Sequence, residues 1–329
     1  MTTTVEGPPT EGPRTIAHPE KSGQGSTGIV YRFLRSIPTW VLWLIVLVWC
    51  IPTFGLLVNS FRGRDAQRSS GWWTVFGGNL SGFTLDNYRQ VLAASAQGGM
   101  KTGLANSLAI ALPATIIPIA IAAFAAYAFA WIDFKGRQGL FIVTVSLLAV
   151  PTQVALIPLL QMYVRGAHLT VPGLDKTITI FPDLNLAGTT TAVWLTHAAF
   201  AMPFAIFLIH NYISSLPRDL FEAARIDGAN HFKIFYRLVL PLSVPVLAAF
   251  AIFQFLWTWN DYLIALTMVG ANPSALPATV KIASQAGEFG RLEHLLTAGA
   301  FLQAAVPLAV FFLLQRFFVR GILAGSVKG

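Results

Sequence analysis

The stretch FEAARIDGANHFKIFYRLVLPL, Phe221 to Leu242, decides the reading of this chain. It carries Glu222, Arg225, Asp227, Lys233 and Arg237, yet long apolar runs lie on both sides of it. Asp219 and Glu222 stand as a helix cap and its answering acid, an arrangement that satisfies amides without a helical partner. They predict a short helix over Leu220–Asp227, turned out of the preceding apolar run by Pro217. Gly228 is placed to end it, because a left-handed residue after a helix is cheapest as glycine. Asn230 can cap a second helix, on which Phe232, Phe235, Leu238 and Val239 share a face. Leu240-Pro241 then leads into the next apolar run. Ala223 and Ala224 give the first helix a flat side that another protein can approach, with Phe221 and Ile226 as apolar anchors. The competing reading is an interfacial helix packed on its own bundle.

The surrounding composition names the solvent. Of 329 residues, 55% are hydrophobic and only 11% charged, with a mean hydropathy of +0.63. A soluble domain carries about a quarter charged residues. This chain cannot cover a water-facing surface, and the bilayer takes the rest. The net charge of +8 does not imply nucleic acid, because the basic residues form no contiguous face. One cysteine, Cys50, excludes an intrachain disulfide framework.

A membrane-spanning helix needs about 20 mostly apolar residues. Six segments qualify: Pro38–Ser60, Leu104–Trp131, Leu140–Val164, Thr191–Ile213, Ser243–Val269 and Leu296–Phe318. The expected fold is therefore an all-α polytopic membrane protein with six spans. Residues 1–30, rich in Thr, Gly, Pro and Glu, read as a disordered tail. Residues 31–329 read as one transmembrane domain. Pro113, Pro118, Pro151, Pro158 and Pro203 fall inside spans and are read as packing kinks rather than broken helices. Thirteen of the 22 Lys and Arg residues lie on one side when both termini are cytoplasmic, which sets the expected orientation. The loops Arg165–Thr190 and Gly270–Leu295 then face outward, the second either a mobile binding loop around Gly287 and Gly290 or a plain connector.

Chemistry-bearing residues are few. Asn260 and Asp261 sit in the fifth span beside Trp257, Trp259 and Tyr262, the mixture of aromatic faces and polar groups that holds sugars. An ionisable residue inside a span is costly, which makes this group a candidate substrate pathway. The alternative is that Asp261 caps or bridges helices. His197 and His210 read as helix–helix hydrogen bonders. The sequence holds no Cys/His cluster, no catalytic constellation and no G-x-x-x-x-G-K-[ST] loop for nucleotide. ATP and Mg are therefore not expected to bind this chain.

EAARIDGANHFKIFYRLVLP resembles the EAA loop of permease subunits in bacterial binding-protein-dependent ABC importers. The family pattern is Glu-Ala-Ala, three residues, Gly, nine residues, Ile-x-Leu-Pro. Here it is met by Glu222, Ala223, Ala224, Gly228, Leu240 and Pro241, with Leu238 replacing the isoleucine. LANSLAIALPATIIPIAIAAFAAYAFA, FLWTWNDYLIAL and QRFFVRGILAGSVKG are similar to further parts of the maltose-type carbohydrate permeases. The resemblance implies half of a heterodimeric pathway in the bacterial inner membrane, completed by a second related permease. It implies two copies of a cytoplasmic ATPase that use the ATP and Mg, and an extracytoplasmic binding protein that delivers the sugar. It implies that Leu220–Asp227 is the coupling helix, with Glu222, Ala223, Ala224, Asp227 and Gly228 docking in the ATPase. The C-terminal half leans toward α-glucoside permeases. A self-contained secondary sugar transporter or channel is the alternative. It predicts paired broken helices and buried coupling carboxylates, of which only Asp261 is visible.

Overall fold

A computed structural model describes residues 38–80, 82–93, 99–171, 176–270, 272–286 and 293–326, with the backbone alone at 170–171, 176, 285–286 and 316–326. The expected tail 1–30 and the glycines Gly287 and Gly290 lie outside the described residues. In chain order the elements are α1 (Thr39–Ser60), α2 (Arg64–Ser69), α3 (Asp86–Leu92), α4 (Met100–Trp131), α5 (Arg137–Ser146) and α6 (Thr152–Arg165). A hairpin of β1 (Ala167–Val171) and β2 (Lys176–Phe181) follows. Then come α7 (Thr190–Ser214), α8 (Arg218–Ile226), α9 (His231–Asn260), α10 (Leu263–Val269), α11 (Ala278–Ala286) and α12 (Glu293–Ser326).

Among the described residues α1, α4, α7, α9 and α12 are long and apolar enough to cross a bilayer. The expected third span, Leu140–Val164, is instead a pair of helices bent by 102° between α5 and α6. A residue before proline is pushed out of the helical region, and Val150, before Pro151, is extended at ψ 119°. Pro151 therefore breaks the helix, whereas Pro113, Pro118 and Pro203 are absorbed inside α4 and α7. The expected fifth span is also divided. It begins at His231 rather than Ser243, ends at Asn260, and resumes as α10 after an extended Asp261.

Residues 1–54 and 55–329 form two separate units. In the described part of the first, Trp40, Trp43, Leu47 and Trp49 are all exposed. An apolar helix bare on every side needs hydrocarbon as its solvent.

In the second unit the largest helix pairing is α4 with α7. Its cause is a spacing of four. Ala114, Pro118, Ala122 and Ala126 form one buried row on α4, and Val193, His197, Ala201, Ala205, Ile209 and Ile213 form one on α7. Lipid tails are as apolar as leucine, so helices associate in a membrane by close approach, and small side chains permit it. Pro118 has no N–H, which frees the carbonyl of Ala114 four residues earlier. Gln254 of α9 donates its Nε2 to that carbonyl at 3.3 Å and also reaches Thr258 Oγ1 at 3.3 Å. Trp259, 1% exposed, ties α9 to α12 by donating its Nε1–H to the carbonyl of Gln303 at 3.1 Å.

Two expected loops have structure. Within Arg165–Thr190 an antiparallel hairpin pairs Leu169 with Ile178, with an irregularity between Ala167 and His168. The fold is thus helical with a small β-hairpin. The described part of Gly270–Leu295 is held against α4 and the segment that leads into α7. Asn106 Nδ2 donates to the carbonyls of Ser274 (2.7 Å) and Leu276 (3.1 Å), and Ser107 Oγ accepts from the Ala278 N–H at 3.0 Å. Asn272 Nδ2 donates to the Gly188 carbonyl at 2.8 Å. A Cβ on Gly103 would lie 3.1 Å from Ala278 Cα, so a side chain there would press α11 away from α4 by a few tenths of an ångström. Lys281 is buried there, donating to the Gly99 carbonyl at 3.3 Å, and burial lowers its pKa.

Gln254→Leu leaves the Ala114 carbonyl without its donor. Interhelical hydrogen bonds in membranes are worth about 0.5–2 kcal/mol. The variant is expected to insert normally and to show a lower thermal unfolding midpoint in detergent. An unchanged midpoint would mean that another donor serves this carbonyl.

Candidate functional site

The polar element is built as two helices around one glycine. α8 starts one residue before the expected cap. Pro217 holds the N-cap position at φ −59°, no side chain caps the helix, and Asp219 lies in the first turn. The expected pairing of Asp219 with Glu222 therefore does not form. Proline's fixed φ already suits a helix entry, and the charge of Asp219 still faces the positive end of the helix. Glu222 is left on the exposed side.

α8 is amphipathic, and its inward side chain is Phe221. Expected as an outward anchor, Phe221 is instead 2% exposed. Its ring stacks on Trp131, the last residue of α4, with centroids 3.6 Å apart and planes 14° from parallel. Trp131 in turn donates its Nε1–H to the carbonyl of Ile213 at the end of α7. Ala224 packs against the same core. Residues 221 and 226 are five apart, and a 3.6-residue turn sends them to different faces. Ile226 is accordingly 85% exposed. The outer surface of α8 thus presents Leu220, Glu222, Ala223, Arg225 and Ile226.

The end of α8 follows expectation. Gly228 is left-handed at φ +75°. Its N–H donates to the Arg225 carbonyl at 3.0 Å, and the Ala229 N–H donates to the Ala224 carbonyl at 2.9 Å. These two bonds are a Schellman closure, which satisfies the last helical carbonyls. No atom lies within 4 Å of a Cβ built on Gly228. Glycine is required here by conformation and not by space.

Asn230 caps α9 as expected, its Oδ1 accepting from the Lys233 N–H at 3.0 Å. The expected shared face of Phe232, Phe235, Leu238 and Val239 is not kept, since Phe232 is 70% exposed while Phe235 and Val239 are buried. Residues Phe235–Val239 form a π-turn, in which the Leu240 N–H bonds to the Phe235 carbonyl. The wider turn shifts the face and lets Pro241 sit inside a continuous helix. Leu238 is half-buried against the core. Two contacts pin this turn to α4: Phe124 stacks on Phe235 at 4.4 Å, and Tyr127 Oη lies 2.9 Å from His231 Nδ1.

A charged groove of about 380 Å³ opens between α8 and the α4–α5 connection, lined by Asp133, Arg137, Arg218, Glu222 and Arg225 with the edge of Trp131. Arg137 is paired with Asp133 at 2.9 Å.

The fifth-span residues separate. Trp259 is taken up in packing. Trp257 is 68% and Tyr262 43% exposed, and Asn260 is exposed with its Nδ2 on the Leu256 carbonyl. Asp261 is the break between α9 and α10. Its Oδ2 accepts from the Ala265 N–H at 3.0 Å and lies 3.4 Å from Nε2 of the buried His197 on α7. Asp261 thus caps α10 and faces α7. His197 approaches the Asp261 break from α7, but its Nε2 makes no hydrogen bond, so the expected helix–helix hydrogen bond does not form. His210 contacts Ser214 within its own helix and Phe141 of α5.

A many-helix membrane bundle thus carries a capped polar element between two of its spans. The sequence model of the binding-protein-dependent transport system inner membrane component matches residues 119–324. The osmoprotective compounds uptake permease protein GgtD of Synechocystis sp. is 50% identical over 299 residues, covering 90% of this chain and 93% of that one. The alpha-glucoside transport system permease protein AglG of Rhizobium meliloti is 38% identical, covering 90% and 98%. The trehalose transport system permease protein SugB of Mycobacterium tuberculosis is 32% identical, covering 78% and 87%. A chain of a bacterial ABC transporter that imports the polysaccharide alginate shares the fold, with TM-score 0.68 at 17% identity over 89% of this chain and 98% of that one. The chain belongs to the family of binding-protein-dependent transport system inner membrane components. It is a permease subunit of an ABC importer, and ATP is hydrolysed by a separate subunit in that family. The self-contained secondary transporter is set aside by this membership.

Gly228→Asn is expected to keep the turn, because asparagine tolerates the left-handed region, whereas Gly228→Val strains it by roughly 1–2 kcal/mol. Limited proteolysis at the 226–230 turn checks this. Faster cleavage in the valine variant only is the expected result.

Proposed function

We propose that this chain is the permease half of an ATP-driven sugar importer of the α-glucoside class, and that α8 is the helix by which an ATPase subunit drives it. The observation that carries the reading is the construction of α8. It is closed at its end by a Schellman turn, seated inward through a single aromatic ring, and presents Leu220, Glu222, Ala223 and Ile226 outward. A short rigid helix of this kind transmits force without bending. Ala223 allows close approach, and Ile226 offers an apolar knob to a cleft.

In this reading α8 faces the cytoplasm together with both chain termini. A second, related permease supplies the other half of the pathway, two copies of an ATPase dock from the cytoplasm, and a binding protein delivers sugar from outside. Glu222, Ala223, Ala224, Asp227 and Gly228 form the docking turn, and Leu238 and Pro241 hold its return. The names of two relatives, for alpha-glucosides and trehalose, support a small glucoside as the substrate. Trp257, Asn260 and Tyr262, exposed around the Asp261 break, are the side chains we assign to the sugar path. Asp261 and Trp259 hold that break in place, Asp261 by capping α10 and Trp259 by locking α9 to α12.

Four outcomes test this. The purified chain alone is expected to hydrolyse no ATP, and to copurify with an ATPase subunit when the operon is coexpressed. Gly228→Val is expected to reach the membrane at normal level, to lose the ATPase on purification, and to take up little labelled trehalose or maltose. Trp257→Ala is expected to keep the ATPase and change uptake, whereas Trp259→Ala lowers abundance, since losing a buried aromatic costs about 3–5 kcal/mol. Normal ATPase recovery and uptake with Gly228→Val would remove α8 from the coupling role.

A further inference from the structure

We infer that the loop between α1 and α3 carries a membrane foot: Trp73, Phe76 and Leu80 insert into the boundary between headgroups and acyl chains, in the leaflet opposite α8. The occupant of this surface is lipid, and the inference does not depend on the docking role of α8.

The loop begins as a rigid return from α1. Its base is closed by two backbone bonds, from the Gly63 N–H to the Gly82 carbonyl at 2.8 Å and from the Thr84 N–H to the Phe61 carbonyl at 2.6 Å. Arg62, 3% exposed, fastens the first arm by donating to the carbonyls of Ala66 (2.6 Å) and Ser70 (2.9 Å). Gln67 Nε2 donates to the Asn59 carbonyl at 2.6 Å, which ties α2 to the last turn of α1. Asn87 of α3 holds the carbonyls of Ser60 and Arg62 from the other side. These bonds fix where the tip of the loop points.

The tip comes back down alongside α1. Trp72–Gly77 is a 3-10 helix, and a Cβ built on Gly55 would lie 2.6 Å from Trp72 Cε2. The ring of Trp72 therefore lies directly on α1 where that helix has no side chain. Gly55 is followed by five residues of α1, which puts it about 7.5 Å from the helix end. α1 has 22 residues, about 33 Å, against a hydrocarbon layer of about 30 Å. Its last residue thus stands at the edge of that layer, and Trp72 touches it at boundary depth. In a 3-10 helix, residues three apart eclipse one another. Trp72 and Val75 form the half-buried side, and Trp73 and Phe76 form the other, 63% and 74% exposed. Leu80, beyond a left-handed Gly78, is also exposed.

The chemistry of the tip selects lipid over protein. Residues 71–85 hold no charged side chain. Thr74 spends its hydroxyl on the Gly71 carbonyl at 2.8 Å, and Thr84 Oγ1 accepts from the Asp86 N–H at 3.0 Å. A protein interface has a polar rim that hydrogen-bonds its partner, whereas this tip offers rings. Tryptophan suits the membrane boundary because its body is apolar and its N–H is polar. The surface is also continuous with the lipid-facing end of α1, where Leu56 and Leu57 flank the Gly55 contact and are exposed. The leaflet follows from α4. Val91 of α3 and Met100, the first residue of α4, belong to one buried cluster, while α8 is seated on Trp131 at the other end of that helix.

The test uses the assembled transporter in lipid nanodiscs. A genetically encoded fluorescent amino acid is placed at position 76, at position 73, or at position 68 on the charged helix α2 as the comparison. Emission is read in phosphatidylcholine with and without bromine on the acyl chains, since bromine quenches a fluorophore only on contact. Loss of emission in brominated lipid is expected at 76 and 73, with none at 68, whether or not a sugar-binding protein is added. Two tip positions are used so that one disturbed variant does not decide the result. Equal emission in the two lipids at both 73 and 76 overturns the inference. If that emission then shifts when the purified binding protein is added, the surface belongs to that protein. Quenching in the isolated chain that disappears in the assembled transporter assigns the tip to the second permease, and the inference fails. Quenching at 68 as strong as at 76 would immerse α2 as well and overturn the assignment to the tip.

Discussion

The contact between Trp131 and Phe221 is the joint on which the rest of the molecule turns. α8 has one large apolar side chain buried in the bundle, and that ring lies flat on the last residue of α4. Without this seat α8 would be a short polar helix hanging from two loops. Isolated helices of that length are marginal in water. With it, the helix has a fixed position and a fixed face, so Glu222, Ala223 and Ile226 are aimed and not merely exposed. The N–H of Trp131 is spent on the Ile213 carbonyl, which adds α7 to the same joint.

Inside the bundle the governing constraint is that polar groups in a bilayer must find partners within the protein. The chain meets it at three places where its own sequence creates a problem, although His197 Nε2 and Ser243 Oγ stay buried without a hydrogen bond. Pro118 frees a carbonyl and Gln254 takes it. The break at Asp261 exposes the first amides of α10, and the Asp261 carboxylate covers the one on Ala265. Trp259 and Gln303 cross the α9–α12 seam, and Gln303 also donates to Thr279 Oγ1 at 3.0 Å, bringing α11 into the same network. These bonds connect helices that lie far apart in sequence.

Much of this was legible in the sequence, and the residues show where legibility stopped. Gly228, Asn230 and the apolar spans were readable because the physics is local: a left-handed turn, a side-chain cap, a length of hydrocarbon. The burial of Phe221 was not, because its partner Trp131 lies ninety positions away and nothing nearby says which face of α8 turns inward. The π-turn at Phe235–Val239 was hidden for the same reason. It is stabilised by Phe124 and Tyr127 of another helix and leaves no local mark except the tolerance of Pro241. The break at Pro151 was signalled by a proline preceded by a β-branched valine, but Pro118, preceded by Ile117, carries a similar signal without breaking α4. The difference is packing, since α4 is clasped by α7 and α9. The hairpin has a local signal in the β-branched alternation of Lys176–Phe181, but the segment is short and lies among helices.

The account stands or falls on what α8 touches on its outer face. A photocrosslinking amino acid placed at Ile226, the most exposed apolar side chain of α8, reports this directly in the assembled transporter in native membranes. The same group at Trp257, exposed on α9, gives the comparison. If α8 is seated by Phe221 and aimed at an ATPase, light produces an adduct between this chain and the ATPase subunit from position 226 and none from position 257. Adducts from position 226 that contain lipid or another permease, with no ATPase, would contradict the account.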